Sequence, residues 1–173
     1  MEPIVLPSCV LRPLRVGDAP SIARNADNAR VWRNLLDRFP HPYTLADAEA
    51  WVARCVTAEV VHALGITVDD EVVGMVGLEP EGDVFHRSME IGYWLGEPYW
   101  GRGIATQAAG EMTAYAFATF DINRLWAGVF GWNPASARVL EKCGYVLEGV
   151  SRGAITKDGE TTDELRYARL RGV

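Results

Sequence analysis

A loop with two glycines joins a predicted strand, residues 86–95, to a predicted helix, residues 103–119. The helix is predicted because apolar and small side chains recur there at steps of three and four residues. Glycines such as Gly101 and Gly103 let the backbone come close to a ligand, and the first N–H groups of a helix face anions. Arg102 adds a positive charge between them. The loop therefore predicts a phosphate site, although a plain strand-to-helix turn without a ligand would show the same glycines.

Two common phosphate-binding loops differ from this one. The nucleotide P-loop requires Gly-x-x-x-x-Gly-Lys-Ser/Thr, which the sequence does not contain. The dinucleotide fingerprint requires a third glycine, but Thr106 stands at that position. Asp121 lies at about the right distance for a ribose contact, yet it precedes the next predicted strand, and repeated βαβ units are missing. A dinucleotide-dependent oxidoreductase is therefore the least favoured alternative.

The hydrophobic pattern predicts seven strands and five helices. The predicted strands cover residues 9–15, 61–68, 72–78, 86–95, 123–130, 145–155 and 162–170. The predicted helices begin near residue 19 after Asp18 as a cap, and cover 29–36, 45–57 after Thr44 as a cap, 103–119 and 133–143. This order predicts an α/β fold with a mixed, mostly antiparallel sheet and helices on its faces. A chain of 173 residues fits a single domain, residues 1–173.

The helix over residues 133–143 has clear capping signals at both ends. Asn133 is an N-cap residue, Pro134 takes the first helical position and Gly144 ends the helix in the left-handed region. Taken alone, these residues indicate an ordinary, well-capped helix.

Taken together, the loop and the capped helix resemble the GCN5-related N-acetyltransferase superfamily. That family's coenzyme A loop reads Arg/Gln-x-x-Gly-x-Gly/Ala, and residues 100–105, Trp-Gly-Arg-Gly-Ile-Ala, are similar to it. The family's second motif, a helix with Asn-x-x-Ser/Ala that ends in Gly-Tyr/Phe, resembles residues 133–145. Residues 11–14, 89–95 and 159–163 look like the ribosomal-protein-alanine N-acetyltransferase branch.

The resemblance implies the fold and the co-substrate. The expected sheet has six to seven strands, with helices on both faces and a central pair, the strand of Glu90 and the strand 125–130, that splays apart. Acetyl-CoA is the expected co-substrate, with its pantetheine arm in that gap and its pyrophosphate on the glycine loop, and no metal is expected. The residues implied in its binding are Ile91, Gly92, Tyr93, Trp94, Trp100, Gly101, Arg102, Gly103, Ile104, Ala105, Thr106, Asn133 and Ser136.

The reaction implied by the resemblance, direct attack of an amine on the thioester, needs a base. A protonated amine has no lone pair, so its proton must first be removed. Glu90 is the first candidate, because it is the sole carboxylate within residues 89–95 and matches a strand glutamate that some family members use. Glu79, at the end of the neighbouring strand, is the alternative, and His41 and His86 are further candidates, because an imidazole can accept a proton.

The other catalytic residues also come from the resemblance. Ser136 matches a serine that the ribosomal branch places to meet the coenzyme A sulfur. Asn133, at the start of the same helix, is also expected to be a catalytic residue. Many family members carry a tyrosine as general acid seven residues after the asparagine, where this sequence has Leu140. The glutamate that the ribosomal branch uses as a base corresponds to a position near Ile155. Those two functions are therefore not carried over.

The acceptor is expected to be an amine, either a peptide or protein N-terminus or a small molecule. Its binding site is predicted from the loop over residues 38–43, the helices before that loop and the last hairpin, with Phe39, His41 and Tyr43 as substrate-binding residues. Aromatic rings suit a cation or a peptide stem. A catalytically weak or silent acyl-CoA-binding module on the same fold is the alternative function, because the tyrosine acid is missing.

The composition limits partners and compartment. A net charge of -6 argues against direct nucleic-acid binding, since phosphate contacts need clustered Lys and Arg. Three widely spaced cysteines indicate neither disulfides nor a zinc site. The N-terminus does not resemble a signal peptide and apolar runs are short, so we expect a cytoplasmic protein without membrane contact. A homodimer is left open.

Overall fold

The computed structural model describes residues 2–58, 60 and 62–172. In chain order the elements are β1 (Ile4–Val5), β2 (Val10–Arg12), α1 (Ala19–Ala26), α2 (Ala29–Trp32), α3 (Leu45–Val56), β3 (Ala63–Val68), β4 (Glu71–Pro80), β5 (Ser88–Leu95), α4 (Ile104–Thr119), β6 (Arg124–Phe130), α5 (Pro134–Lys142), β7 (Val146–Lys157) and β8 (Glu160–Leu170). All the predicted strands and helices are present, with different ends; residue 61, the first of one predicted strand, lies outside the described residues. Within those ranges no helix is long and apolar enough to cross a membrane.

The strands form one mixed sheet in the order β1-β2-β3-β4-β5-β6-β8-β7. β5 and β6 are parallel, whereas the pairs β1–β2, β2–β3, β3–β4, β6–β8 and β7–β8 are antiparallel. The predicted α/β fold with a mixed, mostly antiparallel sheet is confirmed. In the part of the chain that the structure describes, the sheet has eight strands rather than six to seven, because Ile4 and Val5 pair with Leu11 and Val10. A strand of two residues is too short to show alternation in the sequence.

The chain divides into two compact units. The first unit comprises the residues up to Gly77 together with Tyr93–Ala108. The second unit comprises Leu78–Gly92 and the residues from Ala109 onward. Each unit is built from two separate stretches of chain, and the expectation of one domain over residues 1–173 stays a prediction.

The core of the first unit is formed by residues from α1, α3 and β4 and from the segments before α1 and α3. Its buried side chains are Leu14, Ala19, Ile22, Ala26, Tyr43, Ala48, Val52, Val72 and Met75. The predicted cap of α3 is confirmed: Thr44 Oγ1 accepts from the Asp47 N–H at 3.2 Å, and Asp47 Oδ2 accepts from the Thr44 N–H at 2.8 Å. This reciprocal cap fixes where α3 begins, and with it the loop over residues 38–43 that precedes the helix.

Asp18 stands at the N-cap position of α1, but its side chain does not cap that helix. Its two oxygens accept from Arg12 at 2.8 and 2.9 Å, and Oδ2 also accepts from the Arg15 N–H at 2.7 Å. Burial acts to raise the pKa of Asp18, but these bonds outweigh it and the pKa lies below its ordinary value. The predicted cap is therefore wrong, because the buried Arg12 guanidinium offers the carboxylate a stronger, charged partner.

β6 gives the second unit a packed face and a polar face. Leu125, Ala127 and Val129 are buried, whereas Trp126 and Gly128 between them are only partly buried. Successive strand residues point to opposite sides of a sheet, so Trp126 and Gly128 share one face. Arg166 and Glu164 of β8 pair with Gly128 and Phe130, so their polar side chains lie on that face.

Candidate functional site

The glycine loop of the first unit has an accessible, left-handed backbone. Gly101 has a φ of 75° and Gly103 a φ of 77°, values that favour glycine. Apart from chain neighbours, no heavy atom of the described residues lies within 4 Å of the place of a Cβ on Gly101, and at Gly103 only Gln107 Nε2 does, at 3.9 Å. α4 begins directly afterwards at Ile104. A ligand can therefore reach the loop backbone and the helix N-terminus together.

Trp100, which stands where the family usually has Arg or Gln, is anchored within the first unit. Its indole Nε1 donates to the carbonyl oxygen of Leu95 at 2.6 Å, and the Arg30 guanidinium lies 5.3 Å from the ring centroid. Arg30 also forms an ion pair with Glu97, just ahead of the loop. The Trp100 side chain thus holds the loop in place, and a ligand contact there would use the backbone.

The remaining loop residues divide into exposed and packed positions. Arg102 is exposed, with its guanidinium 5.4 Å from the ring centroid of Tyr99. Ile104 is buried, whereas Ala105 and Thr106 are partly buried in the first turn of α4. Among these residues, Arg102 is therefore the one that can bring a positive charge to a phosphate.

Tyr93 and Trp94 lie on the part of β5 that belongs to the first unit, and both are partly buried. The Trp94 ring meets the ring of Phe39 edge-on, with centroids 5.8 Å apart. Gly74 of β4 lies so close to the Trp94 carbonyl and to Leu95 that any side chain there would collide. This end of β5 is thus backed by β4, and its Trp94 touches the predicted acceptor loop.

The predicted acceptor residues Phe39, His41 and Tyr43 come together in one loop. The rings of Phe39 and Tyr43 are 4.7 Å apart, and the exposed His41 stacks on Trp32 at 5.3 Å. Asp27 ties the loop to the end of α1: its Oδ1 accepts from the Tyr43 N–H at 2.9 Å and lies 3.6 Å from His41 Nδ1. His41 is therefore held at the surface with a carboxylate beside it.

Tyr43 is part of the hydrophobic core of the first unit. Its side chain is buried, and this burial, followed by the charge of Asp47, raises the pKa of its hydroxyl to about 12. The hydroxyl therefore stays protonated near neutral pH. We expect Tyr43 to support Phe39 and His41 rather than to take part in proton transfer.

Glu90, Ile91 and Gly92 lie on β5 in the second unit, where its pairing with β6 ends. The parallel pairing covers three residue pairs, and its last pair is Glu90 opposite Trp126. Ile91 is buried, whereas Glu90 is partly buried and Gly92 is exposed. Since β5 continues past the last pair with β6, its backbone edge opens there, which agrees with the expected splayed pair.

Asn133 and Ser136 lie at the start of α5 in the second unit. The Asn133 side-chain oxygen accepts from the Ser136 N–H at 3.3 Å, which confirms the predicted N-cap. Gly144 ends the helix with a φ of 80°, as its sequence position predicts. Leu140, at the family's tyrosine position, is completely buried. The capping bond places Ser136 in the first turn, partly buried, and ties its backbone to Asn133.

One polar cluster of the second unit was not predicted. Trp126 Nε1 donates to Glu81 Oε1 at 3.1 Å, the Arg166 guanidinium lies 4.5 Å from the Trp126 ring centroid, and Glu164 Oε2 lies 3.3 Å from Arg166 Nη2. The sequence signal was the placing of Glu164 and Arg166 at alternate positions of the predicted strand 162–170, with Leu165 between them. The pairing of β6 with β8, which brings these side chains together, cannot be read from either strand alone.

Comparison with known proteins identifies related sequences. The profile of the family described as "Acetyltransferase (GNAT) domain" matches residues 9–146. The chain is 33% identical over 98 residues to the uncharacterized N-acetyltransferase YoaA of Bacillus subtilis; the aligned region covers 57% of this chain and 55% of YoaA. It is 30% identical over 105 residues to the ribosomal-protein-serine acetyltransferase of Escherichia coli; the aligned region covers 59% of this chain and 56% of that protein. The matches thus span a little over half of these relatives.

A solved structure shows the same fold. RimL, a ribosomal-protein alpha-N-acetyltransferase in complex with coenzyme A, superimposes with a TM-score of 0.82 at 23% identity and covers 98% of both chains. At this identity the likeness concerns the fold.

Proposed function

The chain belongs to the GNAT acetyltransferase family, and on this premise we propose that it transfers the acetyl group of acetyl-CoA to a primary amine. The observation that carries the proposal is the accessible, left-handed glycine loop at the N-terminus of α4. Its backbone suits a pyrophosphate, because the N–H groups and the helix dipole both favour an anion. The exposed Arg102 adds a charge of the right sign.

The proposed place for the pantetheine arm is the open edge of β5. Past Glu90, the backbone of Ile91 and Gly92 lies beyond the last pair with β6. An edge of this kind can hydrogen-bond amide groups as an added strand would. Tyr93 and Trp94 continue the same strand toward its end.

In the proposed reaction the neutral amine nitrogen attacks the thioester carbonyl carbon. The new C–N bond forms, the C–S bond breaks, and the proton of the ammonium form goes to Glu90, directly or through water. The nitrogen loses a second proton as the amide forms, and that proton passes through the Ser136 hydroxyl or through water to the departing thiolate. Asn133 acts by capping α5, which positions Ser136. Leu140 can supply no proton, so this scheme places the acid function on Ser136 or on water.

The proposed acceptor is a protein N-terminus or a small amine. Two of the proteins compared above carry names that describe acetylation of ribosomal proteins. In this chain the aromatic loop with Phe39 and His41, beside the Asp27 carboxylate, has the chemistry to receive a cationic peptide stem.

A screen for acetyl transfer tests the proposal. The protein is incubated with acetyl-CoA and a panel of peptides with free alanine or serine N-termini and of polyamines, and release of free coenzyme A thiol is followed. We expect release that depends on the amine. A catalytically silent acyl-CoA-binding module, the second candidate suggested by Leu140, would bind acetyl-CoA and release no thiol above background with any amine.

Ser136→Ala is expected to slow turnover by about tenfold, because the thiolate loses a hydrogen bond to its charge. Acetyl-CoA affinity should change little, since the Asn133 cap uses the Ser136 backbone N–H. Maximal rate and melting temperature are measured on the same preparation. Normal turnover with a stability loss of about 1 kcal/mol or less would mean instead that the hydroxyl serves only the helix start.

A further inference from the structure

Glu164 of β8 places a carboxylate oxygen directly on the backbone of β6. Its Oε1 lies 2.7 Å from the position that a Cβ on Gly128 would occupy, so a side chain at 128 would displace the carboxylate from this place. By sheet register Glu164 pairs with Phe130, and its side chain therefore leans back along the strand to reach Gly128. The carboxylate is about one-quarter exposed, with 23% of the side chain accessible, so an acceptor can meet it.

The neighbours of Glu164 hold it in this place. Arg166, which pairs with Gly128 in the register, contacts Glu164 Oε2 at 3.3 Å. The Arg166 guanidinium is itself stacked 4.5 Å from the centroid of Trp126. Arg166 thus binds one carboxylate oxygen, while the other, Oε1, lies over Gly128.

This carboxylate shares a sheet face with Glu90. Glu90 pairs with Trp126, and Glu164 pairs with Phe130, four residues further along β6. Alternate strand residues share a face, so the side chains of Glu90, Trp126 and Glu164 lie on the same side of the sheet. Gly128 is one strand across from Glu90 and two residues along, which corresponds to roughly 8 Å between Cα positions at ordinary strand spacings. The pairing of β5 with β6 ends at Glu90, so Glu164 lies beside the opening of the second unit where the amine is proposed to react.

An open depression adjoins the same face. It measures about 460 Å³ and is lined by Arg124, Glu148, Gly149, Val150, Ser151 and Arg166. Arg124 is engaged by both oxygens of Glu148, at 2.6 and 2.5 Å. The depression leaves this side of β7 and β8 open to solvent next to Arg166.

We propose that Glu164 binds the acceptor as its ammonium ion beside Glu90, and so selects primary alkylammonium groups as substrates. This rests on the proposed function, in which Glu90 removes the proton. A carboxylate–ammonium hydrogen bond is charge-assisted and among the stronger hydrogen bonds of proteins. Glu164 thereby selects and positions the substrate. It forms and breaks no covalent bond itself, and the reaction remains the acetyl transfer described above.

Two variants test the contact in different ways. Glu164→Gln removes the charge, whereas Gly128→Ala keeps the charge but puts a methyl group where the carboxylate oxygen lies. For Glu164→Gln we expect the KM of an alanine- or serine-initiated peptide to rise about 10- to 100-fold, with kcat within about threefold and the KM of acetyl-CoA unchanged. Gly128→Ala displaces only the flexible end of the Glu164 side chain, so it should raise the same KM by a smaller factor. Glu160→Gln, at the exposed start of the same strand, removes an equal charge and should leave all constants unchanged.

Further measurements separate this role from a structural one. The double variant should be no worse than Glu164→Gln alone, because both changes remove one contact. The rise in peptide KM should shrink at high pH, where the amine is neutral. If Gly128→Ala and Glu164→Gln keep the wild-type peptide KM, or lose kcat at constant KM, the inference is overturned. If the wild type acetylates no amine at all, the proposed function itself is wrong. That result differs from an active wild type whose peptide KM does not change in Glu164→Gln.

Discussion

Glu90→Gln is expected to lower the maximal rate of acetyl transfer by roughly 10²- to 10⁴-fold, with acetyl-CoA affinity unchanged. The substitution keeps the size and most hydrogen bonding of the side chain but removes its basic lone pair. Glu90 forms the last pair of β5 with β6, at the opening where the thioester is proposed to lie. Raising the pH should partly restore the rate, because a larger share of the acceptor amine is then neutral. Steady-state kinetics between about pH 6 and 9 measure both effects.

Glu79→Gln is the matched control for this experiment. Glu79 is an exposed carboxylate near the end of β4, and its loss should cost much less activity. A normal rate for Glu90→Gln together with a crippled Glu79→Gln would reverse the two roles. Normal rates for both would mean that the proton leaves through solvent or through a histidine such as His41, and Glu90 would not be the base.

Gly103→Glu is expected to abolish measurable acetyl-CoA binding while the protein stays folded. The new side chain puts bulk and negative charge where the pyrophosphate is proposed to sit, at the N-terminus of α4. A non-glycine residue at the φ of 77° also costs about 1–2 kcal/mol, which should not unfold the chain by itself. Calorimetric titration with acetyl-CoA measures binding, and circular dichroism checks the fold.

Gly159→Glu separates charge and strain from position. Gly159, in the turn between β7 and β8, also has a φ of 77°, and no described heavy atom beyond its chain neighbours lies within 4 Å of its Cβ position. The two variants therefore share the new charge and the backbone strain. Gly159→Glu should bind acetyl-CoA normally; if the two variants lose binding equally, or a folded Gly103→Glu binds as the wild type does, the glycine loop is not the binding site.

Local signals in the sequence predicted the parts of the fold that depend on neighbouring residues. Thr44 and Asp47 fix the start of α3, and Asn133 and Gly144 fix both ends of α5, because each cap lies within a few residues of its partner. The glycine loop was predicted for the same reason: its left-handed glycines and the helix after it are adjacent in sequence.

Contacts between distant parts of the chain could not be predicted. Asp18 looked like a cap because the sequence does not show that Arg12 lies beside it in the folded chain. Likewise the contact of Glu164 with Gly128 depends on the register of β6 against β8, over residues more than thirty positions apart. A one-residue shift of that register would turn Glu164 to the other face of the sheet.

The most direct test of the whole account is mass spectrometry of an alanine-initiated peptide after incubation with acetyl-CoA and the protein. The wild type and Gly159→Glu should add one acetyl group to the N-terminal amine, and Gly103→Glu should add none. The central claim is that this glycine loop serves acetyl transfer to an amine. Acetylation by Gly103→Glu at the wild-type rate would contradict it. So would a folded wild type that binds acetyl-CoA but modifies neither the peptide nor any amine of a wider panel.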